Sequence, residues 1–289
     1  MTVLRSMLFA PGNHARRVEK ALALQVDAVI LDLEDAVAIS EKAATRELVA
    51  AALAGPRRCL GYVRVNALGT EWAYGDLVAV ARAGVDGIVL PKVESAAELA
   101  TVDWLLGALE RERGLPAGGI DVLPIVETAR GFSMLAEIVR GPRVKRVAFG
   151  AGDFTLDLGL AWSASELELL PYRSAIVVES RAAGIEPPID SVWIDLPDTA
   201  GFERSVETSK ALGFQGKCAI HPDQVTVIDR VFAPTDAEIA YARKVVDAFH
   251  EAEARQLAAI RVDGRFVDYP IVDKARRLLG RAAAIAARR

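Results

Sequence analysis

Cysteine is scarce in this sequence. Two occur in 289 residues, Cys59 and Cys218, and neither belongs to a CxxC pair, which argues against a disulfide framework and a zinc ribbon. Histidine is nearly as rare. His14, His221 and His250 lie far apart and form no HxH or HExxH pattern, so a zinc centre is not expected. The phosphate fingerprints GxGxxG and GxxxxGK[ST] are missing, which removes the Rossmann and P-loop readings. No apolar run reaches the roughly 18 residues of a membrane-spanning helix. The first segment, MTVLRSMLFAPGNHARR, is broken by Arg5 and Pro11 and lacks the apolar stretch of a signal peptide, so a cytoplasmic protein is expected. Positive charge is not in excess. Thirty-five Lys and Arg face 39 Asp and Glu, a net charge of −4, which argues against nucleic acid and against an anionic membrane surface. Repeats, low-complexity tracts and long linkers are also absent.

What is present is a hydrophobic fraction of 52%, enough for a large core. It is gathered into eight short runs: SMLFAPG (6–12), DAVILDLED (27–35), GYVRVN (61–66), GIVLPK (87–92), DVLPIVE (121–127), RVAFGAGD (146–153), IDSVWID (189–195) and GKCAIHP (216–222). They are nearly continuous in hydrophobicity, as parallel strands covered on both faces are. Helical patterns separate them. One follows a capping box, Ser95 to Glu98, with Leu99, Val102, Leu105, Leu106 and Leu109 on one face. Another runs from Ser40 to Gly55–Pro56, and a third carries Phe202, Val206, Ser209 and Leu212 at helical spacing. Eight β-α units predict an α/β protein, a (β/α)8 TIM barrel over residues 1–222. The alternative is a doubly wound open sheet, since strand order is not written in a sequence. From residue 223 to 289 the pattern changes to a second capping box, Thr235 to Glu238, an amphipathic helix, a turn at Asp263–Gly264 and a terminal helix. This reads as a C-terminal helical extension.

In a barrel of this kind the C-terminal ends of the strands carry the active site. Polar groups collect there: Asn13 and His14 after the first run, Glu34 and Asp35 after the second, Arg64 and Asn66 on the third. Lys92, Glu127, Asp153 and His221 end the fourth, fifth, sixth and eighth. Glu127 and Asp153 come from neighbouring strands, and two carboxylates in one mouth repel unless a cation or a proton lies between them. Their oxygen-only character suits Mg2+. The other reading pairs Glu127 with Arg130 and makes Asp153 a helix cap. Arg64 interrupts an apolar strand, which is costly without an acidic partner or ligand. Its planar fork fits a carboxylate or an enolate oxygen. Glu34 and Asp35 could hold metal-bound waters, orient Arg64, or simply be solvated turn residues. Pro11, Gly12 and Asn13 turn the chain into a helix bearing Arg16, Arg17 and Lys20, which reads either as a phosphate-binding end or as a solvated face.

The ordered set RSMLFAPGN, DAVILDLEDAV, VRVN, GIVLPKVES, PIVETARG, GAGDFTLDLG, GKCAIHPDQ and DGRFVDYPIVDKA resembles the citrate lyase β-subunit-like proteins of the HpcH/HpaI aldolase group, over nearly the whole chain. The resemblance implies a barrel of the phosphoenolpyruvate/pyruvate type, assembled as a homotrimer or hexamer. It implies Mg2+ held by Glu127 and Asp153, and Arg64 on the substrate carboxylate or developing enolate. The segment around DGRFVDYP would be a lid over a neighbouring subunit's site, with Asp268 as its acid/base carboxylate. His221 in AIHP would line the coenzyme A channel, and Pro11, Gly12, Asn13, Glu34 and Asp35 would belong to the substrate-binding set. Gly152 departs from relatives that carry a bulkier residue, so the pocket shape would differ.

The implied reaction is Mg2+-dependent cleavage of a 3-hydroxyacyl thioester of the citryl-, malyl- or citramalyl-CoA type into an acetyl thioester and a 2-oxo acid. The thioester could be carried by coenzyme A or by an acyl carrier protein, with citrate lyase partner subunits in the second case. Other readings stand beside it: a class II 2-keto-3-deoxy acid aldolase with His14 as base, a malyl-CoA thioesterase, a malate synthase running the condensation, and a non-catalytic barrel that binds an acyl-CoA or an organic acid.

Overall fold

A computed structural model describes residues 3–287. Eight parallel strands close into one barrel in sequence order: β1 Ser6–Pro11, β2 Ala28–Asp32, β3 Leu60–Arg64, β4 Gly87–Leu90, β5 Asp121–Val126, β6 Ala148–Phe149, β7 Ile189–Asp190 and β8 Gly216–Ala219. The helices between them are α1 Ala15–Ala23, α2 Lys42–Ala54, α3 Ala73–Val80, α4 Ala96–Glu112, α5 Ala129–Ser133, α6 Leu135–Ile138, α7 Ala151–Leu158, α8 Leu170–Ala182 and α9 Thr199–Leu212, and α10 Pro222–Phe232 follows β8. The expected TIM barrel is therefore present and the open sheet is not. Both cysteines are free and buried.

Alternation along the strands decides what faces the barrel axis. Met7, Ala28, Ile30, Tyr62, Val89, Leu123, Ile125, Ala148, Ile189 and Cys218 form one buried cluster inside the barrel. Stepping two residues further along β2, β3 and β5 gives Asp32, Arg64 and Glu127, the same inward face at the C-terminal mouth. The opposite parity places Asp190 of β7 and Lys217 of β8 on the outer wall, where helices cover them. There Asp190 meets Lys217 (2.6 Å) and Arg173 of α8 (3.0 Å), and it accepts a hydrogen bond from Ser209 of α9 (2.5 Å). Glu166, which precedes α8, closes the cluster on Arg173 at 2.9 Å and on Ser205 at 2.6 Å. All of these groups are buried.

The helix signals hold in detail. Ser95 and Glu98 form a reciprocal capping box on α4, whose Leu99, Val102, Leu106 and Leu109 are buried. α2 starts two residues later than Ser40, after a 3-10 turn Ile39–Glu41. β6 and β7 are only two residues long, and after β6 the chain turns at Gly150 directly into α7.

The chain divides into two compact units, Leu4–Asp229 and a second that begins at Arg230, within α10. In the second, α11 Asp236–Ala254, the antiparallel pair β9 Ala259–Val262 and β10 Arg265–Asp268, and α12 Tyr269–Ala286 surround their own core of Ala242, Val245, Phe249, Val262, Val267, Val272 and Ala275. Thr235 and Glu238 cap α11 reciprocally. Among the described residues no helix is long and apolar enough to cross a membrane.

Candidate functional site

Register brings the first two site residues together. Asp32 and Arg64 are ladder partners in the β2–β3 pairing, and both point inward. The Arg64 fork donates from Nε to Asp32 Oδ1 (2.7 Å) and from Nη2 to Asp32 Oδ2 (2.6 Å), the two-point geometry in which guanidinium and carboxylate bind most strongly. Its Nη1 lies 3.0 Å from Glu34 Oε2, an ion pair out of line for a hydrogen bond, and 3.4 Å from Asp35 Oδ2. The guanidinium also sits over the Phe9 ring, 5.1 Å from its centre. Burial by itself pushes Asp32 up, but the hydrogen bonds and charge of Arg64 and the amides of Glu34 and Ala36 outweigh it, and its carboxyl is held below the ordinary value.

Glu127 is buried and follows β5. Its Oε1 accepts the backbone N–H of Lys92 at 2.8 Å. Lys92 takes a left-handed backbone conformation, φ 51°, to make that bond, a conformation that costs free energy in a residue with a side chain. A Cβ at position 150 would lie 2.2 Å from Glu127 Oε2, so Gly150 keeps that oxygen's space open. Burial first, and the charge of Asp153 second, push the Glu127 carboxyl up to about 8. Asp153 was expected at a strand end. It is instead in the first turn of α7, where the helix N-terminus favours a negative charge. It does not cap the helix, and Arg130 faces Glu94 (3.7 Å) rather than Glu127.

Lys92 Nζ completes the mouth, 2.7 Å from Glu34 Oε1 and 3.7 Å from both Asp35 Oδ2 and Asp153 Oδ1. Burial raises the Glu34 carboxyl, aided by Asp35 and opposed by Arg64 and Lys92, and the net direction is upward. Carboxylates outnumber cations here: Asp32, Glu34, Asp35, Glu127 and Asp153 surround Arg64 and Lys92. Among the described residues no group of three or more His, Cys, Asp or Glu converges on one metal position. Glu127 and Asp153 do offer two hard oxygen donors that repel one another, and this fits Mg2+, which keeps several waters and takes one or two carboxylates. Zn2+, with its preference for nitrogen and sulfur, fits poorly.

The remaining expected residues divide. Gly12 packs against the barrel: a Cβ there would meet Asp32 O at 2.6 Å. Pro11 pairs with Asp32 in the β1–β2 register. Asn13 donates to Glu41 Oε2 at 2.7 Å, while its Oδ1 is buried without a partner. His14, Arg16, Arg17 and Lys20 are exposed at and along α1. His221 is half exposed after β8, with Nδ1 accepting the Asp223 amide at 3.3 Å. Asn66 is turned away into a buried network described below. Asp268 belongs to the second unit, where it is the N-cap of α12 and accepts from Ile271 N at 3.4 Å. Sequence reasoning missed Asp32, because three acids compete in LDLED and only the ladder register singles it out. It placed Lys92 on the rim without a role.

A barrel whose mouth holds a paired Arg, two cation-ready carboxylates and a cationic Lys has known counterparts. The profile of the HpcH/HpaI aldolase/citrate lyase family matches residues 5–222. The citrate lyase subunit beta of Escherichia coli K12 is 37% identical over 281 residues, covering 96% of this chain and 93% of its own. A (3S)-malyl-CoA thioesterase of Cereibacter sphaeroides is 36% identical over 285 residues, covering 98% and 96%. The solved structure of the CitE protein of Mycobacterium tuberculosis with magnesium, acetoacetate and coenzyme A superposes with a TM-score of 0.78 at 30% identity, over 97% of this chain and 98% of that one. The chain belongs to the HpcH/HpaI aldolase/citrate lyase family, on the citrate lyase β-subunit-like branch.

Proposed function

We propose that the protein is a Mg2+-dependent carbon–carbon lyase that cleaves a 3-hydroxyacyl thioester into an acetyl thioester and a 2-oxo acid. The observation that carries this reading is the Arg64 fork, locked by Asp32 on the inward face of the barrel and linked through Glu34 and Lys92 to Glu127 and Asp153. Glu127 and Asp153 would hold the metal, which when bound supplies Lewis-acid stabilisation of substrate oxygens. Arg64 receives the carboxylate of the 2-oxo acid half, or the enolate oxygen as it gains charge. Asp32 prevents the fork from turning away. Pro11, Gly12, Asn13 and His221 border the path of the thioester arm, and Glu34 and Asp35 steady Arg64 and Lys92.

A base takes the proton from the substrate hydroxyl. The carbon–carbon bond breaks, its electron pair passes into the thioester enolate, and the α-carbon then takes a proton to give the acetyl thioester. Asp268 from a neighbouring copy, carried on the β9–β10 lid of a trimer or hexamer, is the proposed base. Its present bond to Ile271 N is long, so its carboxylate is only weakly engaged. Asp268→Asn is expected to fold, to keep its Mg2+ affinity and to lower kcat by about 10²–10⁴-fold, the usual range for a positioned base. Steady-state kinetics beside metal titration checks this, and normal turnover would move the base elsewhere.

The direct experiment is to incubate the protein with malyl-, citramalyl- and citryl-CoA, with Mg2+ and with EDTA, and to follow thioester and 2-oxo acid products together. Mg2+-dependent appearance of acetyl-CoA with a 2-oxo acid is the expected result. The similarity to a (3S)-malyl-CoA thioesterase supports a second reading, hydrolysis, which would release free coenzyme A without a 2-oxo acid. Silence toward all three, with activity on an acyl-carrier thioester, would point to a subunit of a citrate lyase complex.

A further inference from the structure

Lys42 is a buried lysine without a carboxylate among its hydrogen-bond partners. It opens α2 and is 6% exposed. Its ammonium donates to Leu33 O at 3.0 Å, to Glu34 O at 2.6 Å and to Asn66 Oδ1 at 2.7 Å, and the Trp72 ring centre lies 5.5 Å away. All three N–H donors of the ammonium are accounted for, and every acceptor is neutral. Burying an ammonium this way is costly, and an apolar side chain of the same length would fill the space. What the charge gains is a grip on two consecutive carbonyls.

Those carbonyls belong to the segment that carries Glu34 and Asp35. The same segment is gripped from its other edge by Asp32, whose carboxylate accepts Glu34 N and Ala36 N, both at 3.0 Å. Lys42 is in turn anchored from behind. Asn66 also donates to Leu33 O (2.9 Å) and to Asp76 Oδ2 (2.6 Å), and the fully buried Asp76 is held by Arg46 at 2.7 Å. Carbonyls on one edge and amides on the other leave residues 33–36 little freedom, and the Glu34 side chain leaves that clamp to meet Arg64 and Lys92.

We propose that Lys42 is a positioning residue of the active site: through the carbonyls of Leu33 and Glu34 it sets the Glu34 carboxylate, and through Glu34 it sets the Lys92 ammonium and the Nη1 end of the Arg64 guanidinium, whose other edge Asp32 holds. The inference rests on the proposed function in one respect, that Arg64 receives the 2-oxo acid. It makes Lys42 a group that touches no substrate yet governs how tightly the 2-oxo acid is held.

The test compares Lys42→Met, Lys42→Gln and Lys42→Arg with the unaltered protein. Calorimetry reads Mg2+ affinity first, then the affinity of the Mg2+-loaded protein for pyruvate and glyoxylate, and a crystal structure of Lys42→Met reads the position of Glu34. The expected result is Mg2+ affinity within about threefold of the parent, 2-oxo acid affinity lower by about 10-fold or more, partial recovery in Lys42→Arg, and a Glu34 carboxylate that has left Arg64. Lys42→Gln retains two of the three N–H donors on a shorter, neutral side chain and stands in if Lys42→Met does not fold. A lowered melting temperature with unchanged 2-oxo acid affinity, or Glu34 still against Arg64 and Lys92, overturns the inference and leaves Lys42 a packing residue. Should the unaltered protein neither bind a 2-oxo acid nor cleave a thioester, the proposed function falls, while the position of Glu34 in the variant still decides this inference.

Discussion

Glu127→Gln is expected to fold as the parent does and to lose turnover by about 10³-fold or more, since stabilisation by a bound cation is worth several kcal/mol in the transition state. Glutamine preserves the shape and can still accept the Lys92 amide, so what disappears is charge. The same substitution should remove the pH dependence of metal binding. In the parent the Glu127 carboxyl is pushed up to about 8, by burial first and by Asp153 second, so below that pH a cation must displace a proton. Mg2+ affinity should therefore rise by up to about tenfold per pH unit below pH 8 and level off above it. Stability follows with a defined sign. A carboxyl raised in the folded state is neutral at low pH at no electrostatic cost. The metal-free protein then loses stability as pH climbs from the ordinary carboxylate range through about 8, and Mg2+ restores it. Thermal melts from pH 5 to 9, with Mg2+ and with EDTA, check both slopes, and both should be shallower in Glu127→Gln, where only the raised Glu34 carboxyl remains at the mouth. Retained turnover in that variant would remove Glu127 from the metal site.

The largest loss of stability is expected from Asp190→Ala. Asp190 is the group that Lys217 and Arg173 share on the outer wall of the barrel, and the two positive charges hold its carboxyl far below the usual range in spite of burial. Its removal leaves the fully buried Lys217 ammonium without its hydrogen-bonding carboxylate, with only the charge of Glu166 to offset it. Breaking a buried pair from one side typically costs about 3–5 kcal/mol, which for a chain of this size is a fall in melting temperature of roughly 10 °C. Pairing the change with Lys217→Met should recover much of the loss, because the penalty arises mainly from the stranded charge rather than from the missing bond. Denaturant midpoints for the two single variants and the double variant give the answer. A double variant no better than the sum of the singles would mean that Asp190 acts through packing.

Arg64 and Glu127 are legible from the sequence because each is a charge set into an apolar run, and only a strand end or a ligand tolerates that. Eight such runs separated by helical spacing point to the barrel for the same reason. Asp153 is displaced from its expected place since GAGD reads as the tail of a strand, whereas the chain bends at Gly150 and starts a helix. Asp32 and Asp190 are hidden for a different reason. Each is one acid among several, and only strand register and parity say which faces Arg64 and which faces the helices. Lys42 gives no signal at all. In SEKAAT it reads as one more solvated charge at a helix start, and its burial depends on Asn66, Trp72 and the 33–34 carbonyls, which are brought to it by three different segments.

The pairing of Asp32 with Arg64 as ladder partners has a consequence for assembly of the barrel. A slip of one residue between β2 and β3 would turn Arg64 outward and bring Val63 or Val65 to the mouth, while the apolar content of the strands stayed nearly the same. Hydrophobic collapse alone discriminates weakly between those registers. The salt link does so strongly, since only the native alignment satisfies both charges at once. The residues proposed to recognise the substrate would thereby double as a proofreading device for barrel closure, and appearance of the proposed 2-oxo acid site during refolding would report correct register rather than mere compaction.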